Sequence, residues 1–400
     1  MTSTDLVFDP YSYEMHEDPY PTYARLREEA PVYRNDRVGF WALSRHADVV
    51  EGFHDSARFS NAEGVTLDPA ASGPDAHKTM SFLGMDPPKH GRMRGLVSRG
   101  FTPRRVAELE PRIRELTRQH LAVALERGTF DFVGDLAGLL PMDVVSELLG
   151  VPQPDRAELR RLSDLLLHRE EGADDLPPAA IEASLQLVVY YSDMVAQRRR
   201  RRTDDLTSAL VDAEIDGDRL SDDEIIGFLF LMVVAGNETT TKLLANAWYW
   251  AWRYPDQRAK PFSDPTRVPS WIEETLRFDT SSQLLTRVTT QEVTRHGVTI
   301  PTHERVALLV GSANRDERVF ADPATYDLDR PERELQQIAS FGFGRHYCLG
   351  ASLARLEARV CLEELVAAVG DYDIDNAGIV RVHSVNVRGF ATLPTKVVPR

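Results

Sequence analysis

The stretch that most constrains this 400-residue chain is residues 341–350, which read FGFGRHYCLG. It places Cys348 among closely spaced glycines, directly before a helical pattern. Glycine lets the backbone turn sharply and approach a flat group closely. A thiolate at a helix start is favoured by the helix dipole and by free backbone N–H groups. A cysteine held in this way could ligate a metal through its thiolate, and an ordinary buried cysteine in a tight turn is the alternative.

A second feature is an apolar helix that becomes polar near its middle. Residues 225–236 are apolar on all sides, which predicts a helix buried all round, and Ser221 with Glu224 predicts a capping box at its start. The sequence AGNETT then brings Glu238 and Thr239 into the same helix. A buried acid and hydroxyl are costly unless used, and Thr239 could bond to a carbonyl one turn earlier and locally open the helix. The alternative is a few satisfied polar groups at a kink.

Two pairs of polar residues have helical spacing. His90 and Arg94 are four residues apart and share a helix face, which suits an anion such as a carboxylate. A solvated helix face is the alternative. Glu274 and Arg277 are three apart and predict an ion pair, a common feature of ordinary helices. Neither pair identifies a function by itself.

Composition limits the classes of function. The net charge of −15 argues against a general nucleic-acid role, and the arginine run 198–202 is interpreted as a solvated last helical turn. Cys348 and Cys361 form no C-x-x-C pair, so neither zinc nor a disulfide framework is indicated. The first residues resemble neither a signal peptide nor a membrane anchor, and the longest apolar run is too short to span a bilayer. We expect a soluble cytoplasmic protein.

The element pattern predicts one large domain, residues 1–400, mainly α-helical with a smaller β-rich part. Helices are predicted over 20–30, 45–54, 105–127, 138–149, 155–168 and 178–202. Strands are predicted over 32–34, 39–43 and 305–312, a long loop over 61–84, and a final β-hairpin and exit strand around 388–394. Asp86, before two prolines, is the predicted N-cap of the next helix.

Taken together, these segments resemble the cytochrome P450 family. Residues 341–350 fit F-x-x-G-x-[R/H]-x-C-x-G and resemble its haem-thiolate signature, and AGNETT resembles its oxygen-binding motif. The helix with His90 and Arg94 resembles the family's C helix, and Glu274 with Arg277 resembles its K-helix pair. The resemblance covers nearly the whole chain in the family's order. It implies the cytochrome P450 fold, a triangular helical prism.

The resemblance implies haem b as cofactor, with Cys348 as the axial iron ligand and O2 as co-substrate. The haem propionates would be bound by His90, Arg94, Arg287 and His346. Further haem contacts would come from Ala235, Phe341, Gly342 and Gly350. Thr239 would hydrogen-bond the bound oxygen, and Glu238 would relay protons. Glu274, Arg277 and Arg330 would form a structural network.

The implied reaction is monooxygenation, hydroxylation or epoxidation, of a lipophilic small molecule, as in natural-product tailoring. Substrate contacts are predicted from Phe82, Leu83, Leu231, Val234, Ala235, Leu284, Leu285 and Phe390. Electrons would pass from NAD(P)H through a reductase and a ferredoxin or flavodoxin, docking on a basic face near Arg99, Arg104, Arg105 and Arg345. We expect a monomer. The alternatives are a peroxide-driven or non-oxidative haem-thiolate enzyme and a haem-binding sensor without turnover.

Overall fold

The computed structural model describes residues 6–98, 101–168, 170, 173, 175–215 and 217–400. This part of the chain is mainly α-helical with small sheets, as the sequence predicted. Its α-helices are α1 (Tyr13–Glu17), α2 (Tyr20–Glu29), α3 (His46–His54), α4 (His77–Met80), α5 (Lys89–Val97), α6 (Pro103–Glu108), α7 (Glu110–Arg127), α8 (Leu139–Leu149), α9 (Arg156–Leu167), α10 (Pro178–Arg200), α11 (Leu206–Asp212), α12 (Asp222–Arg253), α13 (Pro255–Ser263), α14 (Val268–Phe278), α15 (Val310–Ala313), α16 (Glu332–Leu335) and α17 (Ala351–Ala368).

The strands form one larger sheet and several small ones. They are β1 (Val32–Asn35), β2 (Phe40–Leu43), β3 (Phe59–Ser60), β4 (Thr129–Asp131), β5 (Glu214–Ile215), β6 (Asp218–Arg219), β7 (Leu284–Thr289), β8 (Val293–Arg295), β9 (Val298–Ile300), β10 (Arg305–Leu309), β11 (Val369–Ile374), β12 (Val380–Arg381), β13 (Phe390–Thr392) and β14 (Pro394–Pro399). The larger sheet has the order β1-β2-β10-β7-β3, in which only β10 and β2 are parallel. A second sheet has the order β11-β14-β4.

Helix α12 runs through the main hydrophobic core. It has 32 residues, which corresponds to a length of roughly 48 Å. Ser221 and Glu224 form the predicted capping box at its start. Its apolar residues contact α8, α10, α14 and α17. The helix is continuous through Thr239, so the predicted local opening is not present.

Three predicted boundaries are wrong for local reasons. The helix predicted over 105–127 is two helices, because Pro111 fits the first turn of α7 but not a helix interior. The strand predicted over 305–312 ends at Leu309, and α15 follows. Asp86 does not cap α5; it accepts hydrogen bonds from the Ser60 hydroxyl and the Asn61 N–H instead.

The final residues do not form a hairpin with each other. Strand β13 pairs with β12, whereas β14 pairs with β11 and β4. The loop predicted over 61–84 contains α4 and two short 3-10 turns, Pro69–Ala71 and Ser81–Gly84. The pairing of β14 with β4 joins segments far apart in sequence, so a local pattern does not reveal it.

The arginine run is explained by ion pairs. Arg198 pairs with Asp205 at 2.7 Å, Arg199 with Asp222 at 2.6 Å, and Arg202 with Asp212 at 2.9 Å. These contacts fix the end of α10 against neighbouring segments. None of the helices in the described part of the chain combines the length and hydrophobicity that crossing a bilayer requires.

Candidate active site

Helix α12, α17, strand β7, the 61–84 segment and the cysteine stretch enclose one largely apolar cavity. Its apolar lining includes Val65, Phe82, Leu83, Leu231, Met232, Ala235, Leu243, Leu285, Phe341, Leu349 and Leu353. Its polar lining includes Asn61, Thr239, Thr240, Thr280, Ser281, Ser282, Arg287, His346, Cys348 and Glu357. An apolar space with few polar groups suits a bulky ligand that must be oriented.

Backbone geometry places Cys348 on this cavity. Gly342 and Gly344 have φ values of 65° and 66°, in the left-handed region where glycine is favoured. A Cβ on Gly344 would also lie 3.0 Å from the Phe53 carbonyl oxygen. The Cys348 N–H then donates to the Phe341 carbonyl at 2.9 Å, and α17 begins three residues later. Cys361, in contrast, is fully buried within α17.

The thiol of Cys348 is open to the cavity but surrounded by protein. Burial raises its pKa. The backbone N–H groups of Gly350 and Ala351 and the guanidiniums of Arg94 and Arg355 act in the opposite direction, because each stabilises the thiolate. The sulfur thus faces donors and cations on one side and the cavity on the other.

Four side chains predicted to bind an anion lie together at one edge of the cavity, which we call the rim: His90, Arg94, Arg287 and His346. Arg287 and His346 line the cavity, and the His90 ring lies 4.1 Å from the His346 ring. Arg94 donates from Nη2 to the Tyr347 carbonyl at 2.7 Å. Helix α5 therefore supplies two of the four groups, as its four-residue spacing predicted.

The rim carries more positive charge than its neighbours compensate. Burial and the adjacent arginines lower the pKa of His90 to about 4 and that of His346 to about 2. Burial lowers the pKa of Arg287 to about 10. In the described part of the chain, Arg94 Nη1, His90 Nε2 and both ring nitrogens of His346 are buried without a hydrogen bond. The rim therefore has buried polar groups whose hydrogen-bonding capacity an anionic ligand could use.

These observations fit a haem. A haem has an apolar ring and two carboxylates, and the cavity offers apolar walls with the Arg94 and Arg287 guanidiniums and two neutral imidazoles at one edge. A single thiol, Cys348, lines the same space. The residues that could hold the group are thus Cys348 at the iron and the four rim side chains at the carboxylates.

On α12, Thr239 and Glu238 point in different directions. Thr239 lines the cavity, and its hydroxyl donates to the Ala235 carbonyl at 2.7 Å. Glu238 does not line the cavity; its Oε2 lies 3.1 Å from Lys242 Nζ, and both side chains are buried. The Glu238 carboxylate also shares a hydrogen bond with Asp164 on α9.

The charge state of this acid pair follows from its neighbours. Burial acts to raise the pKa of Glu238, but Lys242, the hydrogen bond with Asp164 and the Arg160 guanidinium together outweigh it and hold that pKa below its usual range. Burial and the hydrogen bond to Glu238 raise the pKa of Asp164 to about 7. The burial of Asp164 is only partial, because its side chain keeps access to solvent on α9. A proton can therefore reside on Asp164 near neutral pH, next to an ionised Glu238.

Glu274, Arg277 and Arg330 meet in one buried cluster. Arg277 donates two hydrogen bonds to the Glu274 carboxylate, at 2.7 and 2.8 Å, and Arg330 adds a third at 3.0 Å. The side chains of Glu274 and Arg277 are fully buried. Carbonyl oxygens of Asn314, Pro323 and Thr325 accept the remaining donors of Arg277.

The predicted substrate contacts divide into two groups. Phe82, Leu83, Leu231, Ala235 and Leu285 line the cavity. Val234, Leu284 and Phe390 do not, which corrects the prediction. Leu285 and Arg287 share one face of β7, and Leu284 faces the opposite side because side chains alternate along a strand. Phe390 lines a separate surface groove.

Sequence reasoning missed several polar residues at the site. Lys242 was detectable, since it lies four residues after Glu238 on a predicted helix. Asp164 lies on another helix, and no local signal relates it to Glu238. Glu357 lines the cavity with a buried Oε2 that has no hydrogen bond among the described residues, and burial raises its pKa to about 8.

Comparison with known proteins agrees with this geometry. The family model described as Cytochrome P450 matches residues 267–368. A protein of Mycobacterium tuberculosis named "Putative cytochrome P450 123" is 58% identical over 397 residues, 99% of this chain and 98% of that protein. Vitamin D(3) 25-hydroxylase of Pseudonocardia autotrophica is 39% identical over 406 residues, covering 98% of this chain and 97% of that protein. The structure of CYP109Q5 from Chondromyces apiculatus has a TM-score of 0.88 at 35% identity, with 98% of each chain covered.

The chain belongs to the cytochrome P450 family. Its architecture is the cytochrome P450 fold, and the enzyme is a P450 monooxygenase. The family combines haem, a cysteine thiolate ligand and O2.

Proposed function

We propose that this enzyme inserts one oxygen atom of O2 into a lipophilic small molecule, by hydroxylation or epoxidation, in natural-product tailoring. The observation that carries the proposal is the single cavity in which Cys348 and Thr239 face the same apolar space. Cys348 is the proposed iron ligand, and the rim residues are the proposed partners of the two haem carboxylates. Haem held in this way would supply the capacity to activate O2.

Protons would reach the cavity along α12. Asp164 holds a proton near neutral pH at an exposed position, and Glu238 lies beside it. The Thr239 hydroxyl is on the cavity side of the same helix turn, bonded to Ala235. We infer that Glu238 passes protons inward and that Thr239 donates a hydrogen bond at the reacting centre.

The cavity lining supports a lipophilic substrate with a small number of polar groups. Phe82, Leu231 and Leu285 offer apolar contact, whereas Asn61 and Ser281 offer hydrogen bonds. The related vitamin D(3) 25-hydroxylase is named for a lipophilic substrate, which supports the same class here. We propose a mostly apolar molecule whose polar groups set the position attacked.

Electrons would come from NAD(P)H through a reductase and a ferredoxin or flavodoxin. Arg104, Arg105 and Arg345 are exposed, as a basic docking face requires, although Arg104 also pairs with Glu108. The fourth predicted member, Arg99, lies outside the described residues. Three further properties stay predictions: a single domain, a monomeric state and a cytoplasmic location.

The proposal is tested by Thr239→Ala with Thr241→Ala as the matched control. Each hydroxyl donates to a carbonyl one helical turn earlier, at 2.7 Å for Thr239 and 3.0 Å for Thr241, but only Thr239 lines the cavity. With a surrogate ferredoxin and reductase, product formed per NADPH should fall about tenfold or more in Thr239→Ala. Thr241→Ala should retain the wild-type ratio.

Unchanged coupling in Thr239→Ala would remove the proposed role of the hydroxyl. Turnover with peroxide but none with NADPH and redox partners would favour a peroxide-driven enzyme. Ligand-induced spectral shifts without any product would favour a sensor. A reduced carbon monoxide complex lacking the red-shifted Soret band of thiolate ligation would contradict the assignment of Cys348.

A further inference from the structure

A groove of about 760 Å³ lies on the surface away from the Cys348 cavity. It is formed by α2 and the segment before it, the end of α12, the end of α14 and residues 376–390. No residue lines both the groove and the Cys348 cavity. Its aromatic lining consists of Tyr20, Tyr249, Trp250, Tyr254, Phe278 and Phe390. The groove therefore offers several flat rings outside the reaction site.

Arg315 is held between two of these rings. Its guanidinium lies 3.7 Å from the centre of the Tyr20 ring and 3.6 Å from that of Phe278. Nε donates to the Phe278 carbonyl at 2.8 Å, and no other side-chain hydrogen bond of Arg315 occurs among the described residues. The side chain is nine-tenths buried. A planar cation fixed in this way has its remaining donors available.

Arg381 is the second cation of the groove. It too is nine-tenths buried, with its guanidinium 4.3 Å from the Phe390 ring centre and 5.5 Å from that of Tyr249. In the described part of the chain, its Nη1 is buried without a hydrogen bond. The nearest carboxylate oxygens are 3.8 Å away on Asp279 and 4.0 Å away on Glu17, beyond hydrogen-bonding distance.

Asp279 supplies only one negative charge to this cluster, and its oxygens already accept hydrogen bonds from other donors. Oδ1 accepts from the Tyr20 hydroxyl and from Arg388 Nε, both at 2.7 Å, and Oδ2 accepts from Trp250 Nε1 at 2.8 Å. Three buried arginines, Arg315, Arg381 and Arg388, thus share the charge of one buried carboxylate. Such charges are expensive to bury unless something pairs with them.

The other charged groups of the groove do not supply that partner. Arg27 pairs with Glu317 at 3.0 Å. Glu17 and Asp18 line the mouth, where the Glu17 carboxylate is 60% exposed and therefore well solvated. The part of the groove between the rings therefore combines flat aromatic faces with the positive charge of Arg315 and Arg381. This combination fits a ligand with a planar aromatic body and one negative charge.

We propose that this groove is a second ligand site that binds a planar aromatic monoanion of the aryl carboxylate class. The carboxylate would bond to Nη1 of Arg381 and to the free donors of Arg315 in bidentate fashion. The aromatic body would lie against Tyr249 and Phe390, which line the groove. The site is independent of the proposed substrate and would be occupied whether or not that cavity is filled.

The test uses the haem-containing protein and 2-naphthoate, with neutral 2-naphthamide as the matched ligand. Calorimetry should show 2-naphthoate binding with one-to-one stoichiometry and an unchanged Soret band, and the amide should bind at least tenfold more weakly. The binding should persist in the presence of 4-phenylimidazole, which ligates haem iron and fills the Cys348 cavity. Because these measurements use the wild-type protein, they test the proposal even if a variant does not fold.

Variants then locate the site. Arg381→Gln should weaken 2-naphthoate by about tenfold to a hundredfold, and Arg381→Lys should weaken it less because the charge remains. Arg253→Gln is the control, since Arg253 is an exposed arginine over the Trp252 ring near the same end of α12, outside the groove. Absent binding, equal affinity for the amide, displacement by 4-phenylimidazole, or full affinity in Arg381→Gln would each overturn the proposal.

Discussion

Two buried groups of charged residues in this enzyme differ in how completely they are satisfied. In the cluster of Glu274, Arg277 and Arg330, the carboxylate accepts three charged hydrogen bonds, and Arg277 uses its remaining donors on carbonyl oxygens. In the rim, buried donors of Arg94, His90 and His346 have no partner among the described residues. Both groups contain buried arginine side chains, but only in the cluster around Glu274 do the charged groups find all their partners within the protein. We call that group the closed cluster.

This difference in hydrogen bonding distinguishes charged residues that stabilise the fold from charged residues that bind a ligand. A complete network gains its energy within the protein, so that removing one partner leaves another charge buried and unpaired. In an incomplete network, the ligand-free protein already bears the free-energy cost of burying unpaired polar groups. That cost falls only when an anion binds. The two groups should therefore respond in opposite ways to the loss of an arginine or an acid.

The largest effect is expected from Glu274→Ala. It leaves Arg277 and Arg330 buried without their carboxylate, which should cost about 3–5 kcal/mol in the free energy of unfolding. We expect little folded, haem-containing protein at 37 °C. The yield of haem-loaded enzyme and its urea unfolding curve measure the effect.

Glu273→Ala is the matched control, because it removes the neighbouring acid of the same helix. Glu273 pairs with Arg355, and both side chains are partly exposed, at 24% and 37%. Such a pair contributes at most about 1 kcal/mol. A Glu274→Ala variant as stable and as rich in haem as Glu273→Ala would show that the closed cluster is not structural.

Glu357 offers an intermediate effect that depends on pH. Burial raises its pKa to about 8, and its Oε2 has no hydrogen bond among the described residues. Between its unfolded pKa and about 8, the unfolded chain loses the proton while the folded protein keeps it, so stability falls as pH rises. The limiting slope is about 1.4 kcal/mol per pH unit, or up to about 4 kcal/mol between pH 5 and 8.

In Glu357→Gln, this contribution should disappear. Urea unfolding of the haem-free protein should give a free energy that depends less on pH than in the wild type, with the variant gaining relative stability toward pH 8. Glu363→Gln serves for comparison, because Glu363 is a partly exposed acid on the same helix that pairs with Arg114 and Arg359. Identical pH dependence in Glu357→Gln and the wild type would contradict the prediction.

The sequence predicted those parts of the site that depend on local spacing. Cys348 follows its glycines, Arg94 lies one turn after His90, and Thr239 bonds to a carbonyl one turn back. These relationships are set within a single helix or loop, so periodicity reveals them. The capping box of α12 is predictable for the same reason.

The remaining parts depend on which elements meet in three dimensions. Asp164 reaches Glu238 only because α9 packs beside α12. The face of β7 toward the cavity, which includes Leu285 and excludes Leu284, is set by pairing with β10 rather than by the strand's own apolar sequence. Whether a buried arginine is paired, as Arg277 is, or unpaired, as in the rim, cannot be derived from residue type.

The smallest effect expected is also the sharpest test, because its two readouts have opposite signs. In Arg287→Met, a buried cation of the rim is replaced by an apolar side chain; its only described hydrogen bond is Nη1 to the Thr286 carbonyl at 2.7 Å. The haem-free protein should become more stable by about 1–2 kcal/mol. Haem should bind about tenfold to a hundredfold more weakly, since a charge-assisted contact is lost. Urea unfolding measures the first quantity, and the rate of haem transfer to apomyoglobin measures the second.

Arg277→Met, in the closed cluster, should instead lower the stability of the haem-free protein. If Arg287→Met destabilised the haem-free protein as Arg277→Met does, the rim would be a structural cluster like the other, and its unpaired donors would not indicate a ligand.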